Sequence, residues 1–185
     1  GYIWGDVEPH EVLPKVISKP WVQIANELGR PPVLSYASYC LDNWYKIDAD
    51  EEISLENVAL INNFLGGVDE DWFVTIHVAI ENQASGAIEA CMEMMEFNSE
   101  TPESEIKKQL KNILQSMTGV NNIFSRMPEK CDPYVYYHRV RPFIFGSKDN
   151  PDLKSGLKYE GEFKGKPQFF RGETGAQSSI IPSLD

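Results

Sequence analysis

A histidine on a long helical pattern is the residue whose surroundings point most directly to chemistry. His77 has Phe73, Ile80 and Glu81 as neighbours at three- and four-residue spacing, so its imidazole lies on or beside an apolar helix face. One interpretation is a core histidine whose ring nitrogens are satisfied internally. The other is a pocket histidine that donates or accepts a proton, or that orients a bound diatomic molecule or a substrate N–H group.

An arginine among aromatic residues is the second candidate. Arg141 ends the sequence YVYYHRVR at 134–141, close to Tyr136 and Tyr137. A guanidinium beside aromatic rings suits bidentate capture of a carboxylate, with the ring faces packed against a flat ligand. A surface arginine stacked on a tyrosine would have the same local sequence. Arg139 could take the role instead, because the sequence does not say which of the two faces inward.

Two further segments carry residues that could line a ligand. Tyr36 and Tyr39 share a predicted helix, where aromatic residues at this spacing form either core or ligand pocket. The sequence GETGAQSS at 172–179 contains two glycines, which let the backbone approach a ligand closely and aim N–H groups at an anion. It lacks the spacings of the nucleotide phosphate loops, so a nucleotide site is not supported. An ordinary loop-to-helix junction is the alternative.

Composition excludes several classes of protein. The net charge of -11, from 17 basic and 28 acidic residues, argues against a nucleic acid or an anionic membrane as partner. The three cysteines are widely separated and form no C-x-x-C pair, and the three histidines form no H-E-x-x-H motif. We therefore expect neither disulfides nor a metal site built from this chain alone. With no signal peptide or membrane span in the sequence, we expect a cytoplasmic protein.

The elements that must position these residues are helical. Apolar spacing, prolines and glycines predict one long irregular loop at 146–175 and the following helices: Pro20 to Leu28, Pro31 to Trp44, Ser54 to Leu65, Asp69 to Phe97, Thr101 to about Gly119, and Tyr134 to Val140. A further helix begins at 177–181. Strand signals are weak throughout, so the predicted fold class is all-α. We also expect residues to be missing at both ends, because no Met opens the chain and the last helix has just begun.

Several segments together resemble the indoleamine 2,3-dioxygenases. They are LGRPPVLSYA at 28–37, LDNW at 41–44, WF at 72–73 leading into VAIE at 78–81, RVRP at 139–142, GLKYEG at 156–161 and GETGAQSS at 172–179. No single segment decides the matter, but six in the family's order make the resemblance specific. It covers nearly the whole chain and about the first half of a family member. We interpret the chain as the N-terminal portion of a bacterial-type member.

The resemblance implies a haem enzyme. Members of this family bind a b-type haem (heme b) between a small N-terminal and a larger helical C-terminal domain. With ferrous iron they insert both atoms of O2 across the C2–C3 bond of tryptophan, giving N-formylkynurenine in the kynurenine pathway. The implied domains here are 1–145, carrying the distal pocket, and 146–185, a long loop with the start of the haem-binding domain. The implied partners are a small-molecule indole and the missing C-terminal half.

The resemblance also implies roles for individual residues. Arg141 would bind the substrate carboxylate. The indole ring and distal pocket would be lined by Tyr136, Tyr137, Tyr36, Tyr39 and Phe73. The haem edge and the substrate would be approached by Gly172, Thr174, Gly175 and Ala176.

Two positions depart from the mammalian pattern. His77 stands where mammalian members have a small hydroxyl residue, whereas related tryptophan 2,3-dioxygenases place a distal histidine against the indole N–H. Tyr39 stands where mammalian members have cysteine. His77 would then be catalytic without binding the iron, whose axial histidine is expected beyond Asp185, so that the fragment alone should be inactive. Two alternatives are a family member acting on a modified indole in secondary metabolism and a non-catalytic haem- or indole-binding domain.

Overall fold

The computed structural model describes residues 10–172 and 175–185. The chain divides into two compact units, which are treated separately below. One comprises residues up to 36 together with 134–176, and the other comprises 37–133 with 177–185. The domain boundary predicted at residue 145 stays a prediction.

The elements confirm the all-α class, since three helices have 13, 27 and 22 residues and each strand has only two or three. In chain order they are β1 (Val12–Leu13), α1 (Lys15–Glu27), β2 (Trp44–Lys46), β3 (Val58–Leu60), α2 (Val68–Met94), α3 (Glu103–Phe124), α4 (Pro133–Val135), β4 (Lys158–Tyr159) and α5 (Ile180–Leu184). Short helical turns lie at Ala37–Leu41, Met127–Glu129, Tyr136–Val140, Arg141–Phe143, Phe163–Gly165 and Gly175–Gln177. Among the described residues, no helix is both long enough and apolar enough to cross a membrane.

The first unit is held by a small aromatic core beneath α1. Strand β1 pairs with β4 in parallel, so that Leu13 lies opposite Tyr159. Leu13 and Tyr159 form this core with Val22 and Leu157, and Phe163 and Phe170 pack against it. The Tyr159 hydroxyl donates a 2.7 Å hydrogen bond to the carbonyl of Pro32, and burial raises the pKa of Tyr159 to about 12. Four of these residues, Leu157, Tyr159, Phe163 and Phe170, lie in the segment 146–175 that the sequence predicts as an irregular loop. The core therefore anchors that segment.

Helix α1 begins five residues earlier than predicted. The backbone N–H of Lys15 donates to the Glu160 carboxylate at 2.8 Å, and the buried Ser18 hydroxyl donates to the Glu160 carbonyl at 2.7 Å. These contacts stabilise the first turn and come from residues more than 140 positions away. A local sequence window contains no sign of them, so Pro20 was taken for the helix start although it lies inside the helix.

The helices predicted at Pro31–Trp44 and Ser54–Leu65 are wrong. Apart from the turn Ala37–Leu41, these segments contain an antiparallel pair in which Trp44 of β2 lies opposite Leu60 of β3. The buried amide of Asn43 donates to the carbonyls of Tyr39 and Asn62 at 3.1 and 2.8 Å, and its oxygen accepts the N–H of Asn62 at 2.9 Å. A side chain that satisfies backbone groups this way competes with helix formation, which explains the failure of the apolar spacing.

Helices α2 and α3, both predicted from the sequence, pack together as the second unit's main hairpin. The predicted end of α3 near Gly119 is wrong, because the helix continues to Phe124. A Cβ atom on Gly119 would lie 2.6 Å from the side chain of Gln83 on α2. The glycine therefore serves close packing between two helices and does not end one. The Ser116 hydroxyl donates to the Gln83 carbonyl at 2.6 Å beside it.

The loop before α2 is organised by one buried carboxylate. Glu70 is 2% exposed and accepts backbone N–H groups from Phe64, Leu65 and Gly66 at 2.6, 2.9 and 2.8 Å. Glu70→Gln should lower the free energy of unfolding by about 2–3 kcal/mol, because an amide cannot accept all three charge-assisted bonds. Urea denaturation measures this. The control Glu89→Gln changes an exposed carboxylate on the same helix and should cost nearly nothing; equal losses would contradict the assignment.

Candidate functional site

Arg141 lines a cavity of about 320 Å³ in the first unit. The cavity wall brings together three residues singled out in the sequence, Tyr136, Arg141 and Gly172, and adds three that were not, Ile144, Phe145 and Gly146. The turn Arg141–Phe143 directly follows the turn Tyr136–Val140, and the N–H of Ile144 donates to the Arg141 carbonyl at 2.9 Å. Two consecutive tight turns thus set arginine and tyrosine against the same space.

The guanidinium of Arg141, an exposed residue, lies beside two aromatic rings. It lies 5.3 Å from the ring centre of Tyr137 and 5.7 Å from that of Phe145. Within the described ranges no carboxylate is close enough to form an ion pair with it. Arg139 is exposed and does not line the cavity. Of the two arginines left open by the sequence, Arg141 is the one placed to receive an anion in this cavity.

Gly172 and Gly146 lie where two backbone segments cross. A Cβ atom on Gly172 would come within 2.0 Å of the Ile144 carbonyl oxygen, and one on Gly146 within 2.1 Å of that of Phe170. Neither position has room for a side chain. From the sequence, Gly172 is predicted to let the backbone approach a ligand closely. In the structure a glycine is needed there because another backbone segment, at Ile144, passes too close for a side chain. The sequence reasoning missed Gly146, whose only local signal is its place at the start of the predicted loop.

His77 lies half-buried on α2 in the second unit, next to Phe73. Its Nδ1 is 2.7 Å from the Phe73 carbonyl oxygen, and the two rings are 4.4 Å apart between centres. A carbonyl only accepts hydrogen bonds, so this contact places the proton on Nδ1 and makes Nε2 of the neutral ring an acceptor. Burial lowers the pKa of His77 below its ordinary 6.5, against the opposing effects of the Phe73 hydrogen bond and the negative charge of Glu81.

This pKa shift predicts a specific pH dependence of stability. Above the unfolded-state pKa of 6.5 the imidazole is neutral in both states, and its contribution to stability is fully present. As the pH falls toward the lowered folded-state pKa, the unfolded chain takes up the proton first and the contribution is lost. His77→Gln should therefore flatten the loss of stability that urea denaturation records as the pH falls below 6.5. An unchanged slope in His77→Gln would refute the prediction.

The remaining predicted site residues fall into both units. Tyr39 is buried in the turn Ala37–Leu41 of the second unit, which also holds Phe73 and His77. Tyr36 is buried in the first unit, which also holds Tyr137, more than half exposed. Gly175 and Ala176 lie in the turn Gly175–Gln177, and Thr174 lies outside the described residues. Their convergence on one ligand stays a prediction.

Comparison with known proteins decides the family. The sequence profile of the family described as indoleamine 2,3-dioxygenase matches residues 1–185. The chain belongs to the indoleamine 2,3-dioxygenase family. It is similar to indoleamine 2,3-dioxygenase 1 of Rattus norvegicus and of Mus musculus, at 35% and 34% identity, with all of this chain and 46% of each relative covered. It is also 29% identical to a protein named myoglobin from Haliotis madaka, over all of this chain and 48% of the relative.

Membership of the indoleamine 2,3-dioxygenase family confirms the resemblance read from the six sequence segments. The chain spans about half the length of these relatives. Within the described residues, no group of three or more His, Cys, Asp or Glu side chains could hold a metal ion. The described residues contain a guanidinium beside two aromatic rings in one unit and a half-buried imidazole in the other.

Proposed function

We propose that the full-length protein is a haem-dependent dioxygenase that inserts both atoms of O2 across the C2–C3 bond of tryptophan or a related indole. The product is of the N-formylkynurenine type, as in the kynurenine pathway of tryptophan catabolism. The observation that carries the proposal is the Arg141 guanidinium, which faces a cavity lined by Tyr136 and Phe145 without a carboxylate partner in the described part of the chain. An aromatic amino acid offers a carboxylate to the guanidinium and a flat ring to the aromatic wall.

The residues present fit the distal side of a haem pocket. A pocket for O2 chemistry needs aromatic walls and few hydrogen-bond donors, and the candidate residues are aromatic rings, glycines, one arginine and one neutral histidine. Haem b with ferrous iron would bind and activate O2 when present. Gly172, Thr174, Gly175 and Ala176 would lie beside the haem, and the protein ligand to its iron would come from the C-terminal half, against which this chain would pack.

The protein's own residues would then bind and orient the indole. Arg141 holds the substrate carboxylate, Tyr136 and Tyr137 pack against the ring, and Tyr36, Tyr39 and Phe73 exclude water from the pocket. His77 accepts a hydrogen bond from the indole N–H at Nε2, the ring atom that the Nδ1 contact with Phe73 leaves as acceptor. Because burial lowers the pKa of His77, the ring keeps this acceptor at neutral pH.

The proposal extends to the setting of the enzyme. Residues 1–145 would form the distal, substrate-facing domain and 146–185 the loop and first helix of the haem-binding domain. The chain is acidic and its three cysteines form no disulfide in the part that the structure describes, which suits the cytoplasm. Its partners would be the indole and its own C-terminal half, with neither nucleic acid nor membrane.

A second candidate function is oxygen binding without turnover. It is favoured by the similarity to the Haliotis madaka protein, whose name is myoglobin. The same haem and the same aromatic pocket would serve it, but the pocket would need no group to hold a substrate carboxylate. Arg141 therefore argues for the dioxygenase.

The test uses the full-length protein, reduced under argon and then given tryptophan and isotopically heavy O2. A haem Soret band together with a product that carries two heavy oxygen atoms is the expected result. A Soret band with a stable O2 complex and no consumption of tryptophan or of a panel of modified indoles would favour oxygen binding. Turnover of a modified indole with tryptophan inert would keep the dioxygenase chemistry and replace the substrate. Absence of bound haem would overturn both functions.

A further inference from the structure

A second cavity in the first unit is not used by the proposed function. It has a volume of about 420 Å³, within the range of small-molecule sites. Its lining residues are Ser147, Lys148, Asp149, Asn150, Pro151, Leu153, Lys154 and Phe169. None of them lines the Arg141 cavity. The two cavities are neighbours along the chain, because Gly146 directly precedes Ser147 and Gly172 follows Phe169 by three residues.

The cavity is built on a backbone that its own side chains hold in place. The buried Asn150 donates to the Gly146 carbonyl at 3.1 Å and accepts the N–H of Asp152 at 2.9 Å. The buried Ser147 hydroxyl donates to the Gln168 carbonyl at 2.8 Å and accepts the N–H of Phe170 at 3.1 Å. Polar groups that are satisfied in this way keep a loop rigid, so the cavity exists before any ligand arrives.

The charges that line the cavity favour an anion. Lys148 and Lys154 are both exposed, and no carboxylate in the described ranges forms an ion pair with either. The one lining carboxylate, Asp149, lies 3.1 Å from the guanidinium of Arg171. Two uncompensated ammonium groups therefore share this cavity in a protein whose net charge is -11. Such local positive charge attracts small anions even though the negative net charge of the protein repels them.

The remaining wall is aromatic. Phe169 exposes 53% of its surface, and a Cβ atom on Gly156 would lie 3.0 Å from its ring. The ring therefore packs closely on a residue without a side chain while its other parts stay open to solvent. Leu153 is fully buried and adds a second apolar surface to the lining. An apolar ring beside two ammonium groups matches a ligand that carries an aromatic ring and a carboxylate.

We propose that this cavity is an auxiliary binding site for an aromatic carboxylate. Lys148 and Lys154 bind the carboxylate, and Phe169 packs against the ligand ring. The site is separate from the Arg141 cavity and does not depend on the dioxygenase function.

The test is isothermal titration of the full-length protein with indoleacetate, in parallel with tryptamine, which carries the same ring and the opposite charge. We expect indoleacetate to bind and tryptamine not to. The double variant Lys148→Gln/Lys154→Gln should weaken indoleacetate binding about tenfold, as expected for the loss of two exposed ion pairs. Higher ionic strength should reduce the difference. The matched control Lys166→Gln removes a charge from an exposed position outside the cavity and should leave the affinity unchanged.

Arg141→Gln separates this site from the substrate cavity. If indoleacetate binding is lost in Arg141→Gln and kept in the double lysine variant, the probe sits in the Arg141 cavity and the auxiliary site is overturned, while the proposed function stands. A tryptamine affinity that falls in the double lysine variant as much as that of indoleacetate, or no binding of either ligand, would also overturn it. Binding that depends on the lysines in a protein without dioxygenase activity would support the auxiliary site alone.

Discussion

Replacing Arg141 by alanine in the full-length protein is expected to lower kcat/KM for tryptophan by a factor of about 100 to 1000, with the haem spectrum unchanged. The loss corresponds to about 3–4 kcal/mol, the contribution of a charge-assisted pair of hydrogen bonds to one carboxylate. The guanidinium has no ion-pair partner among the described residues, and aromatic rings flank it. Its removal therefore leaves no second positive group in the cavity wall.

Two variants make this result specific. Arg139→Ala removes the same charge from an exposed position two residues away that does not line the cavity, and tryptophan kinetics should stay within about twofold of wild type. Arg141→Lys keeps the charge but loses the planar pair of donors, so its kcat/KM should fall between the other two. Wild-type kinetics in Arg141→Ala would remove this residue from the substrate site. A larger loss of kcat/KM in Arg139→Ala than in Arg141→Ala would assign the substrate carboxylate to Arg139 instead.

Gly172→Ala is expected to destabilise the first unit strongly. The new Cβ would meet the Ile144 carbonyl oxygen at 2.0 Å and the Gly146 nitrogen at 2.5 Å, and these backbone atoms cannot move aside as a side chain would. Separating the segments would strain the 2.9 Å bond from the Lys148 N–H to the Phe170 carbonyl. We expect a loss of about 2–4 kcal/mol in the free energy of unfolding and weaker tryptophan binding. Urea denaturation and equilibrium titration measure the two effects.

Gly86→Ala is the matched control, because it adds the same methyl group to a helix with open space around it. Its nearest neighbours beyond its own helix backbone would be the Cβ and Oγ atoms of Ser116, each at 4.0 Å. Because alanine loses less backbone entropy than glycine in a helix, this substitution should stabilise the protein by about 0.5–1 kcal/mol. Wild-type stability in Gly172→Ala would mean that the crossing opens at little cost, and the backbone explanation for this glycine would fail.

The sequence predicted correctly those elements whose signals lie within one or two helical turns, and it failed where the structure depends on residues farther away. The bounds of α2 and the start of α3 come within a few residues of prediction, because acidic residues, a proline and a long apolar repeat act within one or two turns. The same reasoning failed at β2 and β3, where the amide of Asn43 satisfies the backbone of residues up to 19 positions away. It also failed at Gly119, whose purpose depends on Gln83 across the hairpin.

For the site, residue type alone singled out Arg141, Tyr136, Gly172 and His77, since guanidinium, phenol, glycine and imidazole each have a restricted chemistry. Local sequence also predicted the helix that carries His77 and the all-α class, because helical periodicity is set by neighbours three and four residues apart. Three features were visible only in the folded chain: Arg141 rather than Arg139 lines the cavity, Phe145 and Gly146 share that lining, and Nδ1 is the His77 atom in contact with the Phe73 carbonyl. Each depends on which distant backbone or ring a side chain meets, and the packing of the whole unit determines that contact.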